Sequence, residues 1–188
     1  MPKHKSDARK HTTKAHKHVA KAKKAIKAAQ KPVMKLPKSP VLAALQKAGV
    51  QFEVLHHGKD AYTCEDAARL RNRPIDTLVK CLVLTDGISN VIACVPGDKR
   101  INTSKVREIF GTGKLEFAHE EDLKKLTGMQ AGAISPIGLK SDMPVVIDRQ
   151  LAGAGKVNMS GGDPSFGVEI RSMDLVELSK AKVAEISK

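Results

Sequence analysis

The sequence predicts an α/β (α+β) domain, one mixed β-sheet flanked by short helices, carried behind a polycationic head. Three observations lead there. Charge is split along the chain: residues 1–40 hold 13 of the 33 lysines and arginines and a single acid, Asp7, so +12 of the net +13 sits in the head. From Ser39 onward, short apolar segments rich in β-branched residues alternate with short segments bounded by helix caps, without internal repeat. And 188 residues suffice for one good-sized hydrophobic core with room for an appendage.

Residues 1–38 read as a disordered Lys/Ala/His-rich basic tail, and residues 39–188 as the folded domain. The tail lacks the large hydrophobes needed to offset chain entropy. Its Lys14, Lys17, Lys21, Lys23, Lys24 and Lys27 would neutralise phosphates with a steep salt dependence. A merely solubilising tail gives the same composition. The head holds no apolar run of secretory-signal length, and its single arginine argues against a transit peptide. No stretch approaches the roughly 18 apolar residues of a membrane span. Cys64, Cys81 and Cys94 form no CxxC pair, so neither a disulfide framework nor a zinc site is indicated. A reduced, cytoplasmic protein without metal or cofactor is expected.

The elements follow in order. Ser39 caps a helix over VLAALQKA, Pro40 suits its first position, and Gly49 closes it. Gln51–His56 alternates as a strand does. Thr63 caps a short helix with Glu65 and Asp66 near its positive end. After Pro74, LVKCLVL reads as a strand, and Asp86-Gly87 turns the chain into a second strand, NVIACVP. Thr103–Phe110 is helical and stops at Gly111. LEFA is a short strand, and HEEDLKKLT a helix ended by Gly128. AISP, PVVID, KVNM and GVEI read as strands, followed by a last helix, SMDLVEL.

One residue in this pattern is out of place. Under strand alternation Lys80 shares its face with Leu78, Leu82 and Leu84. An edge-strand lysine, or one whose ammonium snorkels past the strand end, produces this pattern. So does a lysine lining a pocket, where partial desolvation strengthens its hold on an oxyanion or phosphate. Gly128–Gly138, GMQAGAISPIG, carries small residues that let backbone N–H groups approach a ligand. A cation beside exposed amides suits a carbonyl oxygen on which charge develops. Other templates fail: GxSxG, GxxxxGK[ST] and GxGxxG are missing. His56 and His57 face opposite ways on a strand, so they make a poor metal pair, and a surface strand end or a place in the pocket both fit them. Cys81 points away from Lys80 and reads as core. Ser135 has no evident His–Asp partners.

The ordered run TCEDAAR, LVKCLVL, VPGDKRIN, GAISPIGL and PVVID resembles the YbaK / prolyl-tRNA synthetase-associated domain family. These are aminoacyl-tRNA editing deacylases and the related insertion domain of bacterial prolyl-tRNA synthetases. The resemblance covers roughly Ser39–Leu178. It implies a compact domain with a mixed, partly closed sheet or barrel. The implied activity is hydrolysis of the ester between a wrong amino acid and the 3′ end of a tRNA, typically tRNA for proline. Lys80 falls on the family's essential lysine, and Gly132-Ala133 on the segment whose backbone holds the aminoacyl carbonyl. Ala133 stands where many members have glycine, which would narrow the pocket. His56, Ser135, Ser160 and Glu169 are further substrate-binding candidates. Many members follow the lysine with Thr, Ser or Asn, where this chain has Cys81. The segment SGGDPSFGVEI is about two residues longer than in the cysteine-selective branch, and the His-Pro of the alanine-selective branch is missing. This implies a small amino acid, cysteine foremost, on tRNA for proline, with prolyl-tRNA synthetase a possible partner. Two other readings are a non-catalytic nucleic-acid-binding protein acting through its tail, and a regulatory module for free amino acids or a synthetase. One Tyr, four Phe and no Trp argue against a stacking platform of the usual RNA-binding modules.

Overall fold

The computed structural model describes residues 36–188. The chain divides into two units, Met1–Pro37 and Lys38–Lys188, and all the described elements lie in the second. The expectations for residues 1–35, the six tail lysines among them, lie outside the described residues.

Helix α1 (Pro40–Ala48) starts where Ser39 Oγ accepts from the Val41 and Leu42 amides and ends at Gly49 in the left-handed region. Strand β1 (Glu53–His56) follows, then α2 (Cys64–Arg71), where Thr63 accepts from Asp66 N. A 3-10 turn (Ile75–Thr77) leads into β2 (Val79–Thr85), which pairs antiparallel with β3 (Asn90–Pro96). Helix α3 (Thr103–Phe110), strand β4 (Glu116–Phe117) and helix α4 (Glu120–Thr127) cross over to β5 (Val145–Asp148), parallel to β3. A four-residue helix α5 (Arg149–Ala152), strands β6 (Lys156–Asp163) and β7 (Phe166–Arg171), helix α6 (Ser172–Ser179) and β8 (Lys182–Ala184) complete the domain.

The α/β class predicted from sequence is observed, but the strands divide between two sheets. One has the order β4-β2-β3-β5-β8, mixed; the other is antiparallel, β1-β7-β6. An isolated parallel bridge between Leu78 and Asn158 joins them where β2 begins. β4 pairs only with Leu84 and Thr85, so the early half of that edge of β2 has no strand partner among the described residues. The strand expected at AISP is instead an irregular loop. Pro136 cannot donate to a ladder, and Ser135 N–H turns to Met129 Sδ.

The main core lies between the inner faces of the sheets: Val79, Val83, Ile92, Cys94, Val145 and Ile147 meet Val157, Met159, Phe166, Val168 and Ile170. Leu84, Val91, Ala93, Val95 and Val146 point the other way, beneath Val106 of α3 and Ile186. Burial on both faces is why β3 reads as a continuous apolar run rather than an alternating one. A third, smaller cluster, Ala61, Ala67, Ala68 and Leu78, packs α2 against the residue that leads into β2. Between that cluster and the early half of β2 a cavity opens.

Candidate active site

Lys80 enters β2 on the face of Leu82 and Leu84, where α3 no longer covers the sheet. Its ammonium leaves that face by donating to Gly97 O at 3.0 Å and to Lys99 O, in the loop after β3. The ammonium thus ends on backbone carbonyls rather than snorkelling to water, and the half-buried side chain lines a cavity of about 280 Å³. An ammonium has three N–H donors. Two are used by the loop, and one is left for a ligand.

Its lining mixes exposed and buried residues: Tyr62 and Phe117 are 65% and 58% exposed, whereas Ala61, Arg71, Leu78 and Ser160 are buried. A second recess of about 350 Å³ shares Lys80, Leu82 and Phe117 and adds Arg100.

The glycine-rich loop forms one wall through Gly132 and Ile134. Gly132 sits at φ +76°, a conformation that strains residues with a Cβ. Ala133 is fully buried and its N–H closes a turn onto Gln130 O at 3.0 Å, so that amide is not free to hold a substrate carbonyl. Among the described residues, the N–H groups of Gly132 and Ile134 have no such acceptor. Ser160 bridges the wall to β6: its Oγ donates to Ala133 O at 2.8 Å and accepts from Gly162 N at 3.1 Å. The residues that lengthen SGGDPSFGVEI are absorbed in an irregularity of the β6–β7 ladder between Ser160 and Asp163. Ser160 is thus kept at the wall.

Three other candidates do not line this cavity. Ser135 is buried in the core, its Oγ donating to Met159 Sδ at 3.5 Å. His56 is exposed at the end of β1, its ring 6.1 Å from that of Phe166. Glu169 is a structural anchor: Arg73 Nε donates to it at 2.5 Å and Lys156 Nζ at 3.3 Å. Burial raises its pKa, but the two cations outweigh that and hold it below the usual glutamate range. His57, rather than pointing to solvent, is buried with Nδ1 2.6 Å from Lys59 O.

The thiols are poor nucleophiles here. Cys81 and Cys94 face each other across the β2–β3 ladder with sulfurs 3.6 Å apart. That contact, then burial, raises the Cys81 thiol well above the ordinary range, although Cys81 also lines the cavity. Burial likewise raises Cys64, and Lys80 only partly counters it. Reactivity needs the thiolate, so neither suits attack on an ester. Among the described residues no cluster of His, Cys, Asp or Glu could hold a metal ion, and no helix is long and apolar enough to cross a membrane.

The contribution of α2 escaped sequence reasoning. Tyr62, Thr63, Cys64 and Arg71 line the cavity. Thr63 and Cys64 belong to the TCEDAAR motif, whose spacing alone assigns no chemistry, and Tyr62 and Arg71 lie just outside it.

Comparisons with known proteins point the same way. The family model described as the aminoacyl-tRNA editing domain matches residues 58–178, which contain every cavity residue named above. The prolyl-tRNA editing protein ProX of Acetoanaerobium sticklandii is 29% identical over 150 residues, 77% of this chain and 91% of that protein. A proline–tRNA ligase of Trichlorobacter lovleyi is 32% identical over 102 residues, 54% of this chain but 18% of the ligase, so that likeness concerns one segment of a longer protein. A crystal structure assigned, as a candidate, to trans-editing for prolyl tRNA synthetase superposes with a TM-score of 0.73 at 27% identity, covering 79% of this chain and 95% of that one.

Proposed function

The chain belongs to the aminoacyl-tRNA editing domain family, and on that premise we propose that it hydrolyses the ester of a small amino acid, cysteine foremost, wrongly attached to tRNA for proline. The observation that carries this reading is Lys80: a cation whose remaining donor is available at the mouth of a partly apolar cavity, beside a glycine-rich wall. The acyl group enters the cavity. The terminal nucleotide occupies the adjoining recess, where Arg100 supplies charge and exposed Phe117 a face for stacking. The Gly132 N–H meets the carbonyl oxygen, with Ile134 N–H beside it.

Aminoacyl esters are intrinsically labile, so positioning and oxyanion stabilisation suffice without a protein nucleophile. Water attacks the carbonyl carbon, the tetrahedral intermediate collapses, and the ribose hydroxyl leaves with a proton. With a cysteinyl ester the substrate's own thiol can replace water as the attacking group. Prolyl-tRNA synthetase is the natural partner of such an activity, and the basic head serves as a grip on tRNA that reads charge, not sequence.

Deacylation of a panel of mischarged tRNAs tests the reading. Release of cysteine or another small amino acid from tRNA for proline, with prolyl-tRNA itself spared, is expected. A protein that binds tRNA but releases no amino acid from any member of the panel would leave only the nucleic-acid-binding alternative.

A further inference from the structure

Arg71 is a buried cation without an anion. It is 7% exposed and is one of the residues that line the cavity. Its one hydrogen bond runs from Nη1 to Asn158 Oδ1 at 3.5 Å, the outer limit of such a contact, while Nε is buried with no partner among the described residues. Arg69, Arg73 and Arg171 each pair with a carboxylate. Arg100, Arg107 and Arg149 do not, but they are exposed and water solvates them. Arg71 alone among the described arginines is buried and unpaired. Burial draws it down to about 10, with Cys64 opposing only weakly.

Such an arrangement is costly, because a buried charge is ordinarily paired or neutralised. Yet the fold makes room for it. A Cβ on Gly167 would fall close to Arg71 Nε, Cζ and Cδ, so β7 is cleared where the guanidinium lies. Asn158, its hydrogen-bond partner, carries no charge. The missing anion is therefore supplied by whatever fills the cavity. A phosphodiester, with chain on both sides, suits the exposed part of the lining and the neighbouring recess. A side chain that is only 7% exposed leaves room for no more than the tip of a short group.

We propose that Arg71 is a specificity residue: it takes the negatively charged end of a short aminoacyl side chain, a cysteine thiolate or an aspartate carboxylate, and so separates such esters from alanyl and seryl ones. This rests on the deacylase reading above and narrows its substrate. The guanidinium fork bonds a carboxylate in bidentate fashion and favours a thiol in its thiolate form.

The test uses the full chain in single-turnover hydrolysis of tRNA carrying Cys, Ser, Asp, Asn or Ala. Aspartyl over asparaginyl, or cysteinyl over seryl, should be favoured by on the order of 10- to 100-fold in kcat/KM, the discrimination one charged hydrogen bond supplies. The two pairs tell carboxylate from thiolate. Arg71→Met, which keeps most of the stem, should collapse that ratio, and Arg71→Lys should restore part of it. Hydrolysis with neither preference in the wild-type protein overturns the proposal without needing a variant. An unchanged ratio in Arg71→Met overturns it too. So does a uniform loss across all acyl groups with a shallower salt dependence, which would assign the guanidinium to a phosphate. Release of no amino acid at all would instead sink the deacylase reading beneath it.

Discussion

Replacing Lys80 with alanine is expected to slow ester hydrolysis by about a thousandfold while the domain stays folded. A unit charge about 4 Å from a developing oxyanion or phosphate, at an effective dielectric of about 20, stabilises it by about 4 kcal/mol. That is roughly a factor of a thousand in rate. The effect on stability is smaller. Two carbonyls, Gly97 O and Lys99 O, lose a charged donor, but the half-buried ammonium no longer has to be desolvated. A net loss of about 1–2 kcal/mol lowers Tm by about 3–6 °C in a domain of this size. Single-turnover hydrolysis of a mischarged tRNA alongside a thermal scan measures both quantities. Lys80→Arg, which keeps the charge but not the compact head, should recover only part of the rate. Turnover within about threefold of wild type in Lys80→Ala would mean that the ammonium does not stabilise the reacting ester.

Three further outcomes are expected. Ser160→Ala removes the hydroxyl that holds Ala133 O; it should cost about 1–2 kcal/mol of stability and lower kcat as the Gly132 wall loosens, read by denaturant midpoint and turnover together. Asp148 is buried but accepts from the amides of Gln150, Ile186 and Ser187, each at 2.9 Å. Burial raises its pKa, the three amides outweigh burial, and the carboxyl is held below the usual aspartate range. Its stabilisation is therefore complete above the unfolded-state pKa of about 3.9 and is lost as pH falls through the lower folded value. Asp148→Ala should cost about 3 kcal/mol at pH 7, much less at pH 2, in urea titrations. Deleting residues 1–38 should weaken tRNA binding and flatten the slope of log affinity against log salt, leaving hydrolysis of a minimal aminoacyl ester unchanged; an unaltered slope would separate the head from RNA binding.

Local signals in the sequence carried far. Ser39 and Thr63 cap their helices as their side chains demand, and Gly49, Gly111 and Gly128 end theirs in the left-handed region. The alternation that made Lys80 anomalous was a physical signal, since an ammonium on a leucine face must have an exit or a ligand. What failed was non-local. The eight strands divide between two sheets joined by an isolated Leu78–Asn158 bridge, and no pattern within any one segment encodes that division. Ser135, His56 and Glu169 were plausible by residue type, yet Met159, Phe166 and the Arg73–Lys156 pair, all distant in sequence, set their surroundings. Arg71 was hidden for the same reason: a helix-end arginine reads as solvated until β7 closes over it at Gly167.

Entry of the aminoacyl terminus into the cavity at Lys80 is best tested by a crystal structure with a non-hydrolysable 3′-aminoacylamino-adenosine. The acyl side chain is expected beyond Gly132 toward Ser160, with the ammonium of Lys80 within hydrogen-bond reach of the analogue. An analogue bound on another face, with this cavity holding only water, would contradict that placement.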